Sequence, residues 1–153
     1  MCRVTLSNYG DYDAWLKLAG EVQPLFGPMV NEAEFQQGLK QAIQQQQALC
    51  IRPENGSSLT ALSGGVIISE KDNEILWLAV AANQRTRGMG NLLLSAALER
   101  LDQNRPITVI TFDESVTEGI PARRLYQKYG FRDVSKGALN PAGITTVCMK
   151  RFP

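Results

Sequence analysis

Ile75-Leu76-Trp77-Leu78-Ala79-Val80, then Gln84-Arg85-Thr86-Arg87-Gly88-Met89-Gly90-Asn91, then Leu92-Leu93-Leu94 is the stretch that decides the fold. It reads as an apolar strand, a polar turn with two arginines and two glycines, and an apolar helix. A glycine turn that opens a helix presents unpaired backbone N–H groups and the positive end of the helix dipole. Glycines also remove the β-carbons that would hold a bulky anion away from that backbone, and Arg85 and Arg87 add full positive charge. The physical reading is a cradle for a phosphate or pyrophosphate.

The rest of the composition makes any such recognition local. Sixteen Lys and Arg against fifteen Asp and Glu give a net charge of +1, so there is no basic field of the kind that nucleic-acid binding needs. The 153 residues suit a single domain with a core that needs neither disulfide nor metal. Histidine is absent, which removes imidazole as base or metal ligand, and with it Ser-His-Asp triads and Cys/His zinc sites. The cysteines, Cys2, Cys50 and Cys148, lie far apart with no C-x-x-C spacing, and read as reduced thiols of a cytoplasmic protein. Cys50 and Cys148 fall in apolar strand-like runs that suit a core role. The start of the chain soon turns polar, unlike a signal peptide, and no apolar run has membrane-spanning length.

Outward from the glycine turn, the order of elements follows from periodicity and punctuation. Val4–Leu6 is a short strand, and Asp11 is expected to cap a helix to about Val22 that buries Trp15, Leu18 and Ala19. Pro24–Val30 is an apolar loop with two prolines, packed on the core or part of a pocket. Asn31 with Glu34 resembles a capping box for a second helix carrying Phe35, Leu39, Ala42 and Ile43. Its end, Gln44–Gln47, reads as solvated. Ala48–Arg52, Leu59–Ser69 and Ile75–Val80 form an antiparallel meander, with a turn over 53–58 and a bulge or close backbone approach at Gly64-Gly65. Met89–Asp102 is a helix with Leu92, Leu93, Ala96, Ala97 and Leu101 inward. Ile107–Phe112 is a buried strand, completing a βαβ unit and hence a parallel pair. Pro121 opens a helix over Ala122–Tyr129, stopped by Gly130. Phe131–Ser135 and Thr145–Arg151 pair as the last strands. The order is β-α-α-β-β-β-α-β-α-β-β.

Three readings of the glycine turn compete. A Rossmann fingerprint needs a third glycine, and Gly88-Met89-Gly90 is followed by Asn91-Leu92-Leu93. A Walker A loop needs Gly-Lys-Ser/Thr, which is missing. Arg-x-x-Gly-x-Gly, as Arg85-Thr86-Arg87-Gly88-Met89-Gly90, fits. A second motif, Ala122-Arg123-Arg124-Leu125-Tyr126-Gln127-Lys128-Tyr129-Gly130-Phe131, follows one strand and one helix later. Together the two closely resemble the GNAT superfamily of N-acetyltransferases, over nearly the whole chain from Val4 to Arg151. The resemblance implies one GNAT-like domain over residues 1–153. Its fold would be a mixed, mostly antiparallel sheet of about seven strands with a central parallel pair, flanked by about four helices.

The resemblance also implies roles. Acetyl-coenzyme A is the acyl donor and no metal takes part. Leu78, Ala79 and Val80 end a strand that splays from its neighbour and offers backbone groups to the pantetheine arm and acetyl carbonyl. Arg85, Thr86, Arg87, Gly88, Met89, Gly90 and Asn91 wrap the pyrophosphate. Ala122, Leu125 and Tyr126 line the cleft, with Arg123, Arg124 and Lys128 as candidate contacts for the 3′-phosphate. Tyr126 matches the family's general acid, a phenol that protonates the leaving thiolate, and the Val80 N–H can stabilise an oxyanion. Gly119 stands where many relatives carry asparagine, so that side-chain contact to the cofactor arm is missing here. Candidates for the base are Glu70, Glu74, Asp113, Glu114 or a water chain. The expected reaction is direct acetyl transfer to a primary amine, small or peptidic, and Asp113, Glu114 and Glu118 favour a cationic one. The rival is a non-catalytic acyl-coenzyme A sensor on the same fold. Apolar residues near Phe26 and Met29, taken as exposed, suit a homodimer.

Overall fold

The computed structural model describes residues 3–53 and 61–153. Its elements are β1 (Val4–Leu6), α1 (Tyr12–Phe26), α2 (Ala33–Gln44), β2 (Ala48–Ile51), β3 (Gly64–Ser69), β4 (Glu74–Val80), α3 (Met89–Arg100), β5 (Ile107–Phe112), α4 (Ile120–Lys128), β6 (Arg132–Lys136) and β7 (Thr146–Arg151). Among the described residues the strands form one seven-stranded sheet in the order β1-β2-β3-β4-β5-β7-β6. Of these, β4 and β5 alone are paired in parallel among the described residues, as a βαβ unit requires. The element order and the central parallel pair are those expected. The turn over 53–58 and the start of the strand from Leu59 lie outside the described residues, apart from Pro53.

Side-chain alternation explains why the middle strands read as unbroken apolar runs. Leu49 and Ile51 of β2, with Val66 and Ile68 of β3, pack under Leu93, Leu94 and Ala97 of α3. Ala48, Cys50 and Ile67 point the other way, into Trp15 and Leu18 of α1 and Leu39 and Ile43 of α2. Both faces are covered, so both parities are apolar. Burial raises the Cys50 thiol above its ordinary value, in keeping with a core role. Cys148, on β7, is half-buried. Gly65 supplies a close approach: a β-carbon there would lie 2.3 Å from Trp15 Cη2. The irregularity in this part of the sheet falls elsewhere, between Ile67 and Ile68.

Several local expectations are corrected. Helix α1 runs through Pro24 to Phe26 and is stopped by Gly27, at φ 103°, whose N–H bonds Gln23 O. Proline costs the helix only its bond to Gly20 O, and the last turn is held from outside by the loop described below. Asp11 does not cap α1 through its side chain. Instead Asn8 and Asp11 form a capping box on the short 3-10 turn before it. The Asn31/Glu34 box is not formed either: Glu32 is the cap residue of α2 and makes no side-chain cap bond. Gln36 compensates by donating to Val30 O at 2.7 Å. Gln47 is not merely solvated, since it accepts the Glu70 N–H at 2.7 Å. On α3, Leu92 is 40% exposed, and Leu94 and Leu98 take the inward places instead.

The Asp11 carboxylate is occupied by Arg52, whose Nη2 and Nε reach Oδ2 and Oδ1 at 2.6 and 3.0 Å. The Asn8 N–H adds a third bond at 2.8 Å. Burial pushes the carboxyl upward, but Arg52 and the Asn8 N–H outweigh it and hold it below its ordinary value. A depressed carboxylate stabilises the fold above its unfolded pKa of about 3.9, and that contribution is lost as pH falls through the folded value. Because Arg52 remains partly exposed, screening limits the effect. Asp11→Asn is expected to lose about 1–2 kcal/mol in urea unfolding at pH 7. The deficit against the parent should shrink below about pH 4; a deficit independent of pH would contradict this account.

Candidate functional site

Strand β4 carries the bulge that builds the site. Ile67 pairs with Trp77 and Ile68 with Ile75, so Leu76 has no partner on β3. An inserted residue bends its strand and shifts which side chains share a face. Ile75, Leu78 and Val80 therefore pack with the α3 layer, whereas Trp77 and Ala79 pack with the α1 layer. Strands β4 and β5 are registered only at Glu74↔Thr108 and Ile75↔Val109. Beyond them the two part, leaving Leu76 and Ile110 about half exposed, at 52% and 50%.

The parting leaves backbone groups without partners. Ala81 donates to Ser63 O at 2.8 Å. By antiparallel alternation the N–H and C=O groups of Leu78 and Val80 then turn away from β3, into the split. Val80 O receives only Arg85 Nε, at 3.4 Å. Thr86, at φ 65°, and Gly88, at φ 79°, both take the left-handed conformation before α3. A β-carbon at Gly88 would meet nothing within 4 Å, so glycine serves the backbone angle there. The first backbone bond of α3 is Leu92 N–H to Gly88 O, at 3.2 Å, and no side chain caps the helix. The N–H groups of Gly88, Met89, Gly90 and Asn91 are thus left for an anion.

Helix α4 forms the opposite wall. Gly90 lets it come close, since a β-carbon there would sit 3.1 Å from Leu125 Cδ2. Lys128 donates to Asn91 Oδ1 at 3.0 Å, and Tyr129 OH and Ser95 Oγ lie 2.9 Å apart. Lys128 is thereby tied to α3. Arg123 is buried, donating to Asp133 Oδ2 at 3.1 Å and to Phe112 O at 3.3 Å. That corrects its candidacy as a phosphate contact: it fastens α4 to β5 and β6. Arg124 is exposed. Gly119 has no room for the family's asparagine, because a β-carbon would lie 2.4 Å from Phe112 Cβ.

A cavity of about 620 Å³ runs along this split. Leu78, Ala79 and Val80 line it, followed by Arg85, Thr86, Gly88, Met89, Gly90 and Asn91 of the turn, and Ala122, Leu125 and Tyr126 of α4. Arg87 is exposed and is the one residue of the Arg85–Asn91 turn that does not line the cavity; Arg123, Arg124 and Lys128 do not line it either. Tyr126 is 4% exposed, its ring edge-on to Phe131 with centroids 5.7 Å apart. Burial pushes its phenol well above the ordinary tyrosine value, so it stays protonated across the working pH range. Among the described residues no cysteine lines the cavity, and no cluster of His, Cys, Asp or Glu could hold a metal.

The far wall answers in part to the pocket alternative for the stretch from Pro24, since Leu25 and Phe26 line the cavity. Val22, Leu25 and Phe26 of α1 line it, together with Trp77, Phe112, Glu118 and Asn140. The apolar stretch from Pro24 was the only signal in the sequence. Phe26 lines the cavity and Met29 is buried, which removes the exposed apolar surface offered for a homodimer. The candidate bases also change. Glu70 pairs with Arg100 at 3.1 Å, and burial raises the Glu74 carboxyl at the far end of β4. Asp113 is held low by the Ser115 hydroxyl and N–H, and Glu114 is exposed. Among the described residues Glu118 is the only carboxylate lining the cavity.

Residues 21–152 match the family described as Acetyltransferase (GNAT) domain. Comparison with curated proteins finds no match. The solved structures similar to this chain include an acetyltransferase of the GNAT family from Bacillus cereus, at 15% identity and a TM-score of 0.72 over 99% of this chain and 97% of that one. Arabidopsis thaliana NAA60 in complex with a bisubstrate analogue is similar at 19% identity and a TM-score of 0.71, covering 99% and 98%. The PaiA N-acetyltransferase of Thermoplasma acidophilum in complex with coenzyme A follows at 14%, with a TM-score of 0.70 over 100% and 99%. At these identities the likeness is one of fold.

Proposed function

Because the chain belongs to the GNAT acetyltransferase family, we propose that it transfers an acetyl group from acetyl-coenzyme A directly to a primary amine. One observation carries this choice over a sensor of acyl-coenzyme A. The cavity is lined both by Met89, Leu125 and Tyr126 from the α3/α4 layer and by Val22, Leu25 and Phe26 from the α1 layer. It therefore passes through the sheet where β4 and β5 part. A sensor needs a pocket on one face; direct transfer needs two reactants to meet end to end.

The residues present fit the donor. The unpaired N–H groups at the start of α3 suit a pyrophosphate, with Arg85 adding charge at the cavity edge. The N–H groups of Leu78 and Val80 and the Leu78 C=O, turned into the split, suit the amides of the pantetheine arm, and Leu76 and Ile110 offer it apolar walls. When bound, the donor supplies an activated thioester carbonyl. The Val80 N–H stands ready for the oxyanion that forms when a neutral amine attacks that carbon. Tyr126, kept protonated by burial, gives its proton to the sulfur as the C–S bond breaks. We assign Glu118, a carboxylate that lines the cavity, to take the proton that the ammonium sheds before attack; the proton that leaves nitrogen after attack restores the one Tyr126 gives to sulfur. Among the described residues no cysteine lines the cavity, in keeping with direct transfer.

The test combines calorimetry with acetyl-coenzyme A and a thiol-release assay across an amine panel. Micromolar donor binding together with amine-dependent thiol release is the expected result. Donor binding with no thiol release from any amine would instead support the sensor.

A further inference from the structure

Phe26 occupies a position that its own helix does not explain. It is the last residue of α1, and its ring contacts both strands that have separated. The centroids of Trp77 on β4 and Phe112 on β5 lie 5.7 and 5.8 Å away. Phe26 thus bridges the split from the α1 side, opposite Tyr126. The corner that aims it is fastened from a distant part of the chain. Asn140 Nδ2 donates to Leu25 O at 2.7 Å. Gly27, at φ 103°, packs so tightly that a β-carbon would lie 2.5 Å from Pro141 Cβ.

The polar groups of this wall are few, and their state restricts what can bind. The Asn140 amide oxygen is committed, accepting from the N–H groups of Ala142 and Ile144 at 2.9 and 3.0 Å, and one Nδ2 hydrogen goes to Leu25 O. Arg123, the nearest guanidinium to Phe112, is turned to Asp133 and Phe112 O. Among the described residues the cation that lines the cavity is Arg85, in the turn before α3, and the unpartnered donor of this wall, Trp77 Nε1, is neutral, so a carboxylate on the acceptor would meet the like charge of Glu118 without a cation beside it. Glu118 is exposed at the rim and lies in none of the ion pairs among the described residues. One unpaired anion beside an aromatic wall selects a cation on an apolar body.

We infer that the acceptor is a primary amine whose neighbouring substituent is a large apolar group with no α-carboxylate. Phe26, Trp77 and Phe112 hold that group, and Glu118 receives the ammonium. The inference rests on the transferase reading above and names the substrate class for the same site. Phe26 sets how large that group can be, as the ring standing between the strands.

Two acceptor sources share this chemistry, a free arylalkylamine and a peptide N-terminus with an apolar first residue. The assay runs thiol release at saturating acetyl-coenzyme A with phenethylamine, with phenylalanine, with spermidine, and with short peptides that begin with methionine or serine. Phenethylamine or the methionine peptide is expected to exceed phenylalanine and spermidine at least tenfold in kcat/KM; whichever is preferred identifies the source. Glu118→Gln should raise the amine KM at least fivefold while the calorimetric Kd for acetyl-coenzyme A stays within twofold. Phe26→Ala, with Phe26→Leu as the milder change, should shift preference toward bulkier amines. Donor binding with spermidine, phenylalanine or the serine peptide preferred would overturn the inference and leave the transferase reading intact. Donor binding with no turnover of any amine would overturn both, and loss of donor binding would sink the transferase reading first.

Discussion

Tyr126→Phe is expected to lower kcat by about 100- to 1,000-fold, in the range that positioned general acids contribute, while leaving the Kd of acetyl-coenzyme A within about twofold. The argument turns on what the substitution removes. The ring packs edge-on against Phe131 and belongs to the core beneath α3 and α4, and phenylalanine reproduces that packing. Only the hydroxyl is lost, so a purely structural tyrosine would yield a folded enzyme of nearly full activity. Measuring kcat, donor Kd and melting temperature on one preparation separates the two cases. An unchanged kcat with a confirmed acceptor would remove Tyr126 from the chemistry.

The pH profile gives a second reading of the same residue. Burial raises the phenol above its unfolded value of about 10. A raised pKa means that the proton is held more tightly in the folded protein, so the linked stability is fully present below pH 10. It is lost as pH rises beyond that. The alkaline limit of activity at this residue should therefore coincide with loss of fold, not with a separate titration of the rate. An alkaline limb of kcat well below pH 9, in a fully folded enzyme, would belong to another group.

What was legible in the sequence is what depends on neighbours along the chain. The turn from Arg85 to Asn91 is local: glycine permits the left-handed angle at Gly88, and a helix start leaves its amides free wherever it occurs. The helix over Ala122–Tyr129 is legible for the same reason, through Pro121 at its beginning and Gly130 at its end. The far wall is different. Asn140 reaches Leu25 across 115 residues of sequence, and no periodicity in either segment announces that bond. It holds the turn that carries α1 through Pro24, which reads in isolation as a helix breaker. The bulge at Leu76 is equally silent, since an apolar strand such as Ile75–Val80 gives no sign of where its partner skips a residue. Leu92 shows a limit of another kind: within Leu92-Leu93-Leu94 the phase of the helix cannot be fixed, and the inward places fall to Leu93 and Leu94.

Gly119→Asn makes the difference between family pattern and this chain's packing measurable. The pattern alone suggests a gain, an added side-chain contact to the donor and tighter binding. The structure predicts a loss. Gly119 has φ −89°, an angle open to any residue, so backbone freedom is not its purpose. Its purpose is space: a β-carbon would lie 2.4 Å from Phe112 Cβ and 2.7–2.8 Å from the ring atoms. A Cβ cannot swing aside as a side-chain tip can, so backbone must move, at about 2–4 kcal/mol. For a chain of this size that corresponds to roughly 5–15 °C in Tm. Phe112 also faces Phe26 across the split, so the acceptor KM should rise about tenfold or more, with no tightening of donor Kd. Gly119→Ala should show nearly the same loss, because the clash begins at the β-carbon. Phe112→Ala should restore part of the stability lost by Gly119→Asn, since it vacates the ring without altering position 119. A Gly119→Asn protein as stable as the parent, binding acetyl-coenzyme A more tightly, would show that the asparagine contact outweighs the packing of Phe112.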